Sequence, residues 1–295
     1  MHAIWMVAAS FLFASMGVCV KYASPYFSAL EIVFYRGVIG VFIMLALARS
    51  RGVSLRTSVP MMHVWRNVVG VAALAGSFYA IAHLPLATAT TLNYTSGVWI
   101  AAFVVGGTLA TGKLTEIRRQ GPLVLAVLST FAGVLMLLRP TLDQGQILAG
   151  LIGLMSGLLA GLAYMQVAAL GRAGESETRT VFYFSIASVI GGAAGIVVEG
   201  PSELARIEGL WLLPMGILAA LAQLCMTRAF NQGATMVVVN LQYSGIIFAA
   251  LYGLVLFGDH IPLTGWIGMA LIIVSAIAAT MLRDRALPGA PAEDH

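Results

Sequence analysis

Long apolar runs alternate with short polar connections along the whole chain. A helix needs about 20 predominantly apolar residues to cross a bilayer, and runs of about that length recur ten times. They cover residues 3–20, 29–48, 66–83, 86–109, 121–138, 147–169, 180–198, 210–229, 234–256 and 263–282. The pattern predicts an all-α polytopic membrane protein with ten transmembrane helices.

The two halves of the chain resemble each other at a nearly constant offset of 147 to 149 positions. Val33-Phe34-Tyr35 falls on Val181-Phe182-Tyr183, and Tyr94-Thr95 falls on Tyr243-Ser244. Each half holds five spans, an odd number, so the second copy must enter the membrane from the opposite side. This predicts two inverted five-helix repeats, the arrangement with which many transporters alternate access to a midplane site. The alternative is that apolar helices rich in Ala, Gly and Leu align by chance.

The repeat hypothesis sets the domain boundaries. The first five-helix repeat is predicted over residues 1–140 and the second over 146–283, and residues 284–295 are predicted to form a disordered cytoplasmic tail. Gly153, Gly157 and Gly161 in the sixth span recur at every fourth position, a spacing that lets helix backbones approach closely. The sixth span is therefore predicted to pack tightly against a neighbour.

Composition supports the membrane assignment and limits the partners. The chain is 60% hydrophobic and 9% charged, with a mean hydropathy of +0.93, far from an ordinary soluble domain. Sixteen Lys and Arg against twelve Asp and Glu give a net charge of +4. The basic residues form no continuous run, which argues against nucleic acid as a partner. Cys19 and Cys225 lie in apolar segments and predict neither a disulfide nor a metal site. The expected partners are the lipid bilayer and a small-molecule substrate, with a homodimer as an open option and no cofactor.

Basic residues fall mainly on one side of the predicted membrane. With a cytoplasmic amino terminus, most of them, including Arg66 at the start of the third span, are assigned to cytoplasmic connections. Only Lys21, Arg139 and Arg206 fall on the other side. The positive-inside rule then predicts a bacterial inner-membrane protein with both termini in the cytoplasm.

Polar residues inside the apolar spans are the candidate substrate-binding residues. In a straight helix the i, i+3, i+4 rule places Asn240, Tyr243 and Ser244 of the ninth span on one face and points Gln242 elsewhere. Candidates in other spans are Thr91, Tyr94, Thr95, Gln223, Tyr79 and Arg36. Hydroxyl, amide and phenol groups suit a neutral or zwitterionic solute. The alternative is that these side chains only tie helices together.

Arg36 is the one charge placed well inside a span. Its insertion costs roughly 3 kcal/mol on the biological scale, so a compensating group is expected. Glu31, helix carbonyls or an anionic group of the substrate could supply it. The alternative is that the side chain extends towards the outer headgroups, helped by Glu31.

Several of these features resemble a known family. Glu31 with Phe34-Tyr35-Arg36, the Tyr94-Thr95-Ser96 run and Gly258-Asp259 are similar to EamA-type members of the drug/metabolite transporter superfamily. The resemblance covers nearly the whole chain. It implies a ten-helix carrier that exports amino acids or other small metabolites by alternating access.

Two features depart from the pattern of that family. Gly97 and Gly245 stand where it usually has proline after the tyrosine-containing run. Lys113 and Asp259 stand where it has glutamate. Details of helix bending are therefore not carried over from the family.

The distribution of titratable residues argues against an enzyme. Acidic residues lie in loops, helix ends and the tail except Glu31, and the five histidines lie at termini or interfaces. No pair is placed for general acid and base catalysis within the bilayer. The same lack leaves exchange or export down a gradient open as transport modes. The competing hypotheses are a passive channel, for which no repeated filter is visible, and a scaffold, which gives no reason for matching polar patches.

Overall fold

The computed structural model describes residues 2–84, 86–110, 114–138, 146–200, 202, 207–256 and 262–286. Within these ranges the chain is all-helical, with no strand. The helices are α1 (His2–Ala23), α2 (Ala29–Arg51), α3 (Pro60–His83), α4 (Leu86–Ala110), α5 (Leu114–Leu138), α6 (Ile147–Arg172), α7 (Glu177–Glu199), a 3₁₀ helix (Ile207–Trp211), α8 (Leu212–Gln232), α9 (Thr235–Gln242), α10 (Ser244–Leu256) and α11 (Leu263–Ala286).

The helices have the length and the surface of membrane spans. Seven helical segments among the described residues are long and apolar enough to cross a membrane, and residues 124–136 and 263–275 form shorter apolar stretches. Large aliphatic side chains face outward, with Val197 exposed to 85% and Val255 to 76%. Soluble proteins seldom expose such side chains over wide areas. The fold is that of a polytopic membrane protein, and the number of ten spans stays a prediction.

Capping residues define both ends of α2. The amide of Glu31 donates to Oγ of Ser28 at 3.3 Å, and the amide of Ser28 donates to Oε2 of Glu31 at 2.9 Å. This reciprocal capping box satisfies two amides that the first turn leaves without partners. Gly52, with φ of 62°, ends the helix in the left-handed conformation that glycine adopts without strain.

The third helix is longer than its apolar run. It begins at Pro60, six residues before the predicted start, so it adds His63 to a helix that also contains Arg66 and Asn67. All three side chains are buried in the protein. The placement of Arg66 in a cytoplasmic connection was wrong, because hydropathy cannot distinguish a polar helix face that turns inward from a loop.

The ninth predicted span is two helices. Tyr243 lies in a turn between α9 and α10. Its amide donates to the carbonyl of Asn240 at 3.3 Å, and the amide of Ile246 donates to the carbonyl of Tyr243 at 3.0 Å. These bonds reach three residues back, as in a 3₁₀ turn, and change the rotation per residue. The prediction of one straight helix here was wrong.

Helix pairs build the bundle. The most extensive contacts join α2 to α7, α1 to α8, α3 to α6, and α5 to α11. At the carboxyl end, α11 continues to Ala286, three residues into the predicted tail, and residues 287–295 lie outside the described part of the chain.

The glycine spacing in α6 marks close contact with α4, so the predicted tight packing is confirmed. A Cβ atom added to Gly157 would lie 2.5 Å from the carbonyl oxygen of Leu92 and would also overlap Oγ1 of Thr95. A Cβ at Gly161 would lie 3.1 Å from the carbonyl oxygen of Ser96. Backbone approaches backbone along this seam.

We expect Gly157→Ala to lower the free energy of unfolding by about 1–3 kcal/mol, because the methyl group has no space and α4 must shift. Thermal unfolding of purified protein in detergent measures the change. Gly106→Ala is the matched control, since a Cβ atom there meets nothing within 4 Å. Equal melting temperatures for the two variants would contradict the close contact of α6 with α4.

Candidate functional site

A cavity of about 320 Å³ lies in the middle of the bundle. Residues of α1, α2, α3, α4, α6, α7, α8, α9 and α10 line it. It follows α3 from Arg66 to Ile81 and α1 from Met6 to Lys21, about 22 Å at the helical rise. Most of the wall is apolar, and its polar side chains are Ser10, Lys21, Arg36, Arg66, Ser77, Asn93, Tyr94, Tyr164, Gln223, Gln242 and Tyr252.

Two buried arginines give one part of the cavity a positive charge. Cζ of Arg36 lies 5.0 Å from the ring centroid of Phe184, and Cζ of Arg66 lies 3.8 Å from the same centroid. Both residues are buried, with Arg36 exposed to 6% and Arg66 to 2%. At less than about 9 Å apart and an effective dielectric constant of about 20, they repel each other by roughly 2 kcal/mol. No acidic side chain is among the described lining residues.

The charge of Arg36 is compensated differently from what the sequence suggested. Its Nη2 donates to Oε1 of Gln223 at 3.2 Å, and its face lies towards Phe184. Glu31 is occupied elsewhere, because its carboxylate accepts from the amide and the hydroxyl of Ser202 at 2.6 Å each. Arg36 points into the cavity and does not extend to the membrane surface.

Two amide side chains outside the predicted binding set line the cavity. Asn93 donates to Oγ of Ser77 at 3.0 Å. Gln242, which was predicted to point elsewhere, lines the cavity on α9. That prediction was wrong because it chose the face of Asn240 and Ser244 for the cavity. The cavity is lined instead by Gln242, Gly245 and Ala249, which share one helix face across the turn at Tyr243. Positions 93 and 242 differ by 149, the offset between the halves, and this coincidence is the signal that could have identified them.

Three of the nine predicted binding residues line the cavity, namely Arg36, Tyr94 and Gln223. The other six are absent from its lining: Asn240, Tyr243, Ser244, Thr91, Thr95 and Tyr79. Their part in binding stays a prediction. In the first span, Ser10, Ala14, Gly17 and Lys21 form one cavity-lining stripe.

Several side chains outside the lining have partners within the protein. Oγ1 of Thr130 donates to Oδ1 of Asn240 at 2.7 Å. The hydroxyl groups of Ser244 and Thr95 donate to carbonyls three residues back, at 2.7 Å and 2.6 Å. The ring of Tyr79 stacks on His83 with centroids 4.1 Å apart. Of these contacts, only the one between Thr130 and Asn240 joins two helices, and the other three each lie within one helical segment.

Tyr94 and Tyr243 form the crossing of α4 with the α9–α10 turn. The hydroxyl of Tyr243 donates to the carbonyl of Tyr94 at 3.1 Å, and the ring centroids are 5.6 Å apart. A Cβ atom at Gly97 would overlap the hydroxyl of Tyr243, and a Cβ atom at Gly245 would overlap the hydroxyl of Tyr94. Each tyrosine therefore needs the glycine of the other half.

A cluster of hydrogen bonds around Glu175 lies beyond the arginine end of the cavity. Glu175 lies in the turn between α6 and α7, and its carboxylate accepts from Thr57 at 2.9 Å, His63 at 3.1 Å and Arg179 at 3.0 Å. Arg179 also donates to the carbonyl of Ser54 at 2.9 Å. His63 lies about one turn before Arg66 on α3. The Glu175 cluster (Ser54, Thr57, His63, Glu175 and Arg179) thus joins the α2–α3 connection to the α6–α7 turn.

The charge of Glu175 is stabilised by this cluster. Burial alone raises the pKa of the carboxyl group, but the hydrogen bonds from Arg179, His63 and Thr57 outweigh it and hold the pKa below its ordinary range. Glu175 is therefore ionised at neutral pH.

Comparison with known proteins supplies the class of the chain. The pseudopaline exporter CntI of Pseudomonas aeruginosa (strain UCBPP-PA14) is 36% identical over 92% of this chain and 93% of its own length. This chain belongs to the family of the pseudopaline exporter CntI. An uncharacterized transporter of Helicobacter pylori (strain J99) is 25% identical over 92% of both chains, and a riboflavin transporter of Rhizobium johnstonii is 28% identical over 93% of this chain and 89% of its own.

A solved crystal structure shares the fold, with a TM-score of 0.79 and 18% identity over 96% of this chain and 98% of the other. No family model matches the chain. The transporter relatives and the apolar helices together identify this chain as a multi-pass membrane transporter of the bacterial inner membrane and not an enzyme.

We expect Gln223→Leu to destabilise the protein by about 1.5–3 kcal/mol, since Arg36 would lose the acceptor of its charge-assisted hydrogen bond. Gln223→Glu is the matched control, because it keeps an acceptor and adds an opposite charge. Thermal unfolding in detergent measures both variants. A Leu variant as stable as the parent would mean that the hydrogen bond contributes nothing.

Glu175→Gln should destabilise the protein at neutral pH by about 2 kcal/mol, because three donors lose a charged acceptor. The folded pKa of Glu175 lies below the unfolded value of about 4.3, so its stabilisation is complete above that value and is lost as pH falls through the folded pKa.

Unfolding measured from neutral to acidic pH should show the gap between the parent and Glu175→Gln closing below about pH 4.3. The exposed Glu199 provides the control variant Glu199→Gln, for which we expect the parent's profile. A gap that stayed constant at acidic pH would contradict the assigned charge of Glu175.

Proposed function

We propose that the protein is a secondary transporter that carries a small organic metabolite across the inner membrane by alternating access. The observation that supports this most directly is the central cavity, which follows α1 and α3 for most of their length and ends beside the Glu175 cluster. A cavity that is closed at one end by hydrogen bonds between helices is expected of a carrier in one of its two access states. A continuous pore would need no such closure.

The pairing of helices supports the proposed ten spans and inverted repeat. Under the offset of the halves, α1 corresponds to α6 and α3 to α8, so the contacts of α1 with α8 and of α3 with α6 are equivalent. The pairs α2 with α7 and α5 with α11 each join a helix to its own counterpart. The reciprocal contacts of Tyr94 with Gly245 and Tyr243 with Gly97 follow the same relation.

The Glu175 cluster is the proposed gate at one side of the membrane. It connects α2–α3 of one half to α6–α7 of the other. Rocking the halves apart at this end requires its hydrogen bonds to break. In the predicted orientation, with both termini in the cytoplasm, this gate lies on the cytoplasmic side and the cavity leads towards Lys21 on the opposite side.

The relatives support export of an organic solute. One is named a pseudopaline exporter and another a riboflavin transporter. The resemblance to EamA-type carriers adds amino acids and similar metabolites as candidates. Among the described lining residues there is no carboxylate or histidine to carry a coupling proton, which favours exchange or export down a gradient.

We expect purified protein in liposomes to exchange a labelled solute against the same solute inside, with a rate that saturates. The solutes are riboflavin and a set of amino acids. Saturable counterflow supports a carrier, unsaturable flux supports a channel, and absence of flux with every solute counts against transport of these metabolites.

The same assay decides which helix face binds the solute. Gln242→Ala alters the cavity lining, whereas Asn240→Ala alters the face predicted from sequence. We expect the apparent KM to rise for Gln242→Ala, because a lining amide is lost. If only Asn240→Ala changes KM at normal expression, the cavity face is the wrong one.

A further inference from the structure

We propose that Arg36 and Arg66 form a carboxylate-binding site, so that the transported solute is an organic acid or zwitterion bound by its carboxylate at this end of the cavity. This deepens the proposed transport function and rests on it. The sequence alone offered an anionic group of the substrate as one of three possible partners for Arg36 and assigned Arg66 to a cytoplasmic connection.

The first argument is that the hydrogen-bond donors of the two arginines are not fully used. Nε and Nη1 of Arg66 are buried and have no hydrogen-bond partner, and Nε of Arg36 is in the same state. Buried polar atoms in native proteins are nearly always paired, and each exception calls for an explanation. Guanidinium donors in a fixed planar fork match the two oxygens of a carboxylate.

The second argument is the lack of a counter-charge. Neither arginine forms an ion pair with a described acidic residue. Glu31 is bound by Ser28 and Ser202, and Glu175 by its own cluster. Two like charges that share the ring of Phe184 destabilise one another. An anionic group bound in the cavity beside both guanidinium groups offsets that repulsion. Binding of an anion at this end of the cavity is therefore favourable.

The third argument is the shape of the wall around the arginines. A Cβ atom at Gly70 would lie 2.6 Å from Nη1 of Arg66 and 3.1 Å from Cε2 of Phe184, so the missing side chain makes room for the stacked guanidinium. Farther along the cavity, Phe13, Leu74 and Phe78 are apolar. The site therefore suits an acid with an organic body better than an inorganic anion.

The test compares acids with their uncharged counterparts on purified protein. The probes are N-acetylphenylalanine and its amide, glutarate and glutaramide, and inorganic phosphate. We expect the acids to raise the Tm of the parent protein by mass action and the amides to leave it unchanged. For Arg66→Gln, we expect affinity for the acids to fall by roughly tenfold or more, while Arg66→Lys, which keeps the charge, retains part of it.

The stability of the unliganded variant separates a binding role from a structural one. Removing an unpaired buried charge should leave Arg66→Gln at least as stable as the parent. A structural arginine would instead give a lower Tm. The exposed Arg56 supplies the control Arg56→Gln, which should bind the acids as the parent does.

Each of the remaining outcomes contradicts either the carboxylate site or the transport function. If the acids fail to stabilise the parent, if the amides stabilise it equally, or if Arg66→Gln binds the acids unchanged, the carboxylate site is wrong. Stabilisation by phosphate alone would replace the carboxylate by an inorganic anion. Binding of the acids without counterflow in liposomes would keep the site and contradict transport, whereas counterflow of a neutral solute unaffected by Arg66→Gln would keep transport and contradict the site.

Discussion

The hydrocarbon of a bilayer offers no hydrogen bonds, so the polar side chains of this protein must find partners within the chain or face a cavity. Most of them do the former. Asn240 bonds with Thr130, Ser156 donates to the carbonyl of Ala73, and Thr95 returns its hydroxyl to its own helix. Among the described residues, three of the nine buried side-chain atoms without a partner belong to Arg36 and Arg66. These two differ from the neutral exceptions because a buried charge without a counter-charge costs more than a neutral polar group.

The crossing of α4 with the α9–α10 turn holds the centre of the bundle together. Two tyrosines reach across it, and two glycines make the close approach possible. Beside this turn, Gln242 lines the cavity and Tyr243 lies in the core. A side chain at Gly97 or Gly245 would overlap the hydroxyl of the opposite tyrosine, which explains why glycine stands at both positions.

The chain uses different physical means at the two regions that transport would require. The cavity is mostly apolar with a cationic end, which favours an amphipathic solute. The Glu175 cluster is a compact set of charge-assisted hydrogen bonds in connections and helix ends, where water can replace the broken bonds. In the proposed gate these bonds hold one access state and are exchanged for bonds to water in the other. The glycine seam between α6 and α4 offers no such exchange, because it is packed backbone against backbone.

The sequence by itself determined the helical membrane fold and the close packing at Gly157, because hydropathy and residue spacing act within single helices. It also identified Arg36 as a charge in need of a partner and Gln223 as a candidate binding residue. Only the tertiary structure joined these two residues to each other, moved Arg66 from a supposed connection into the cavity, and turned Gln242 inward. Those outcomes depend on contacts between residues far apart in the chain, which decide which face of a helix meets the cavity and which meets a neighbouring helix.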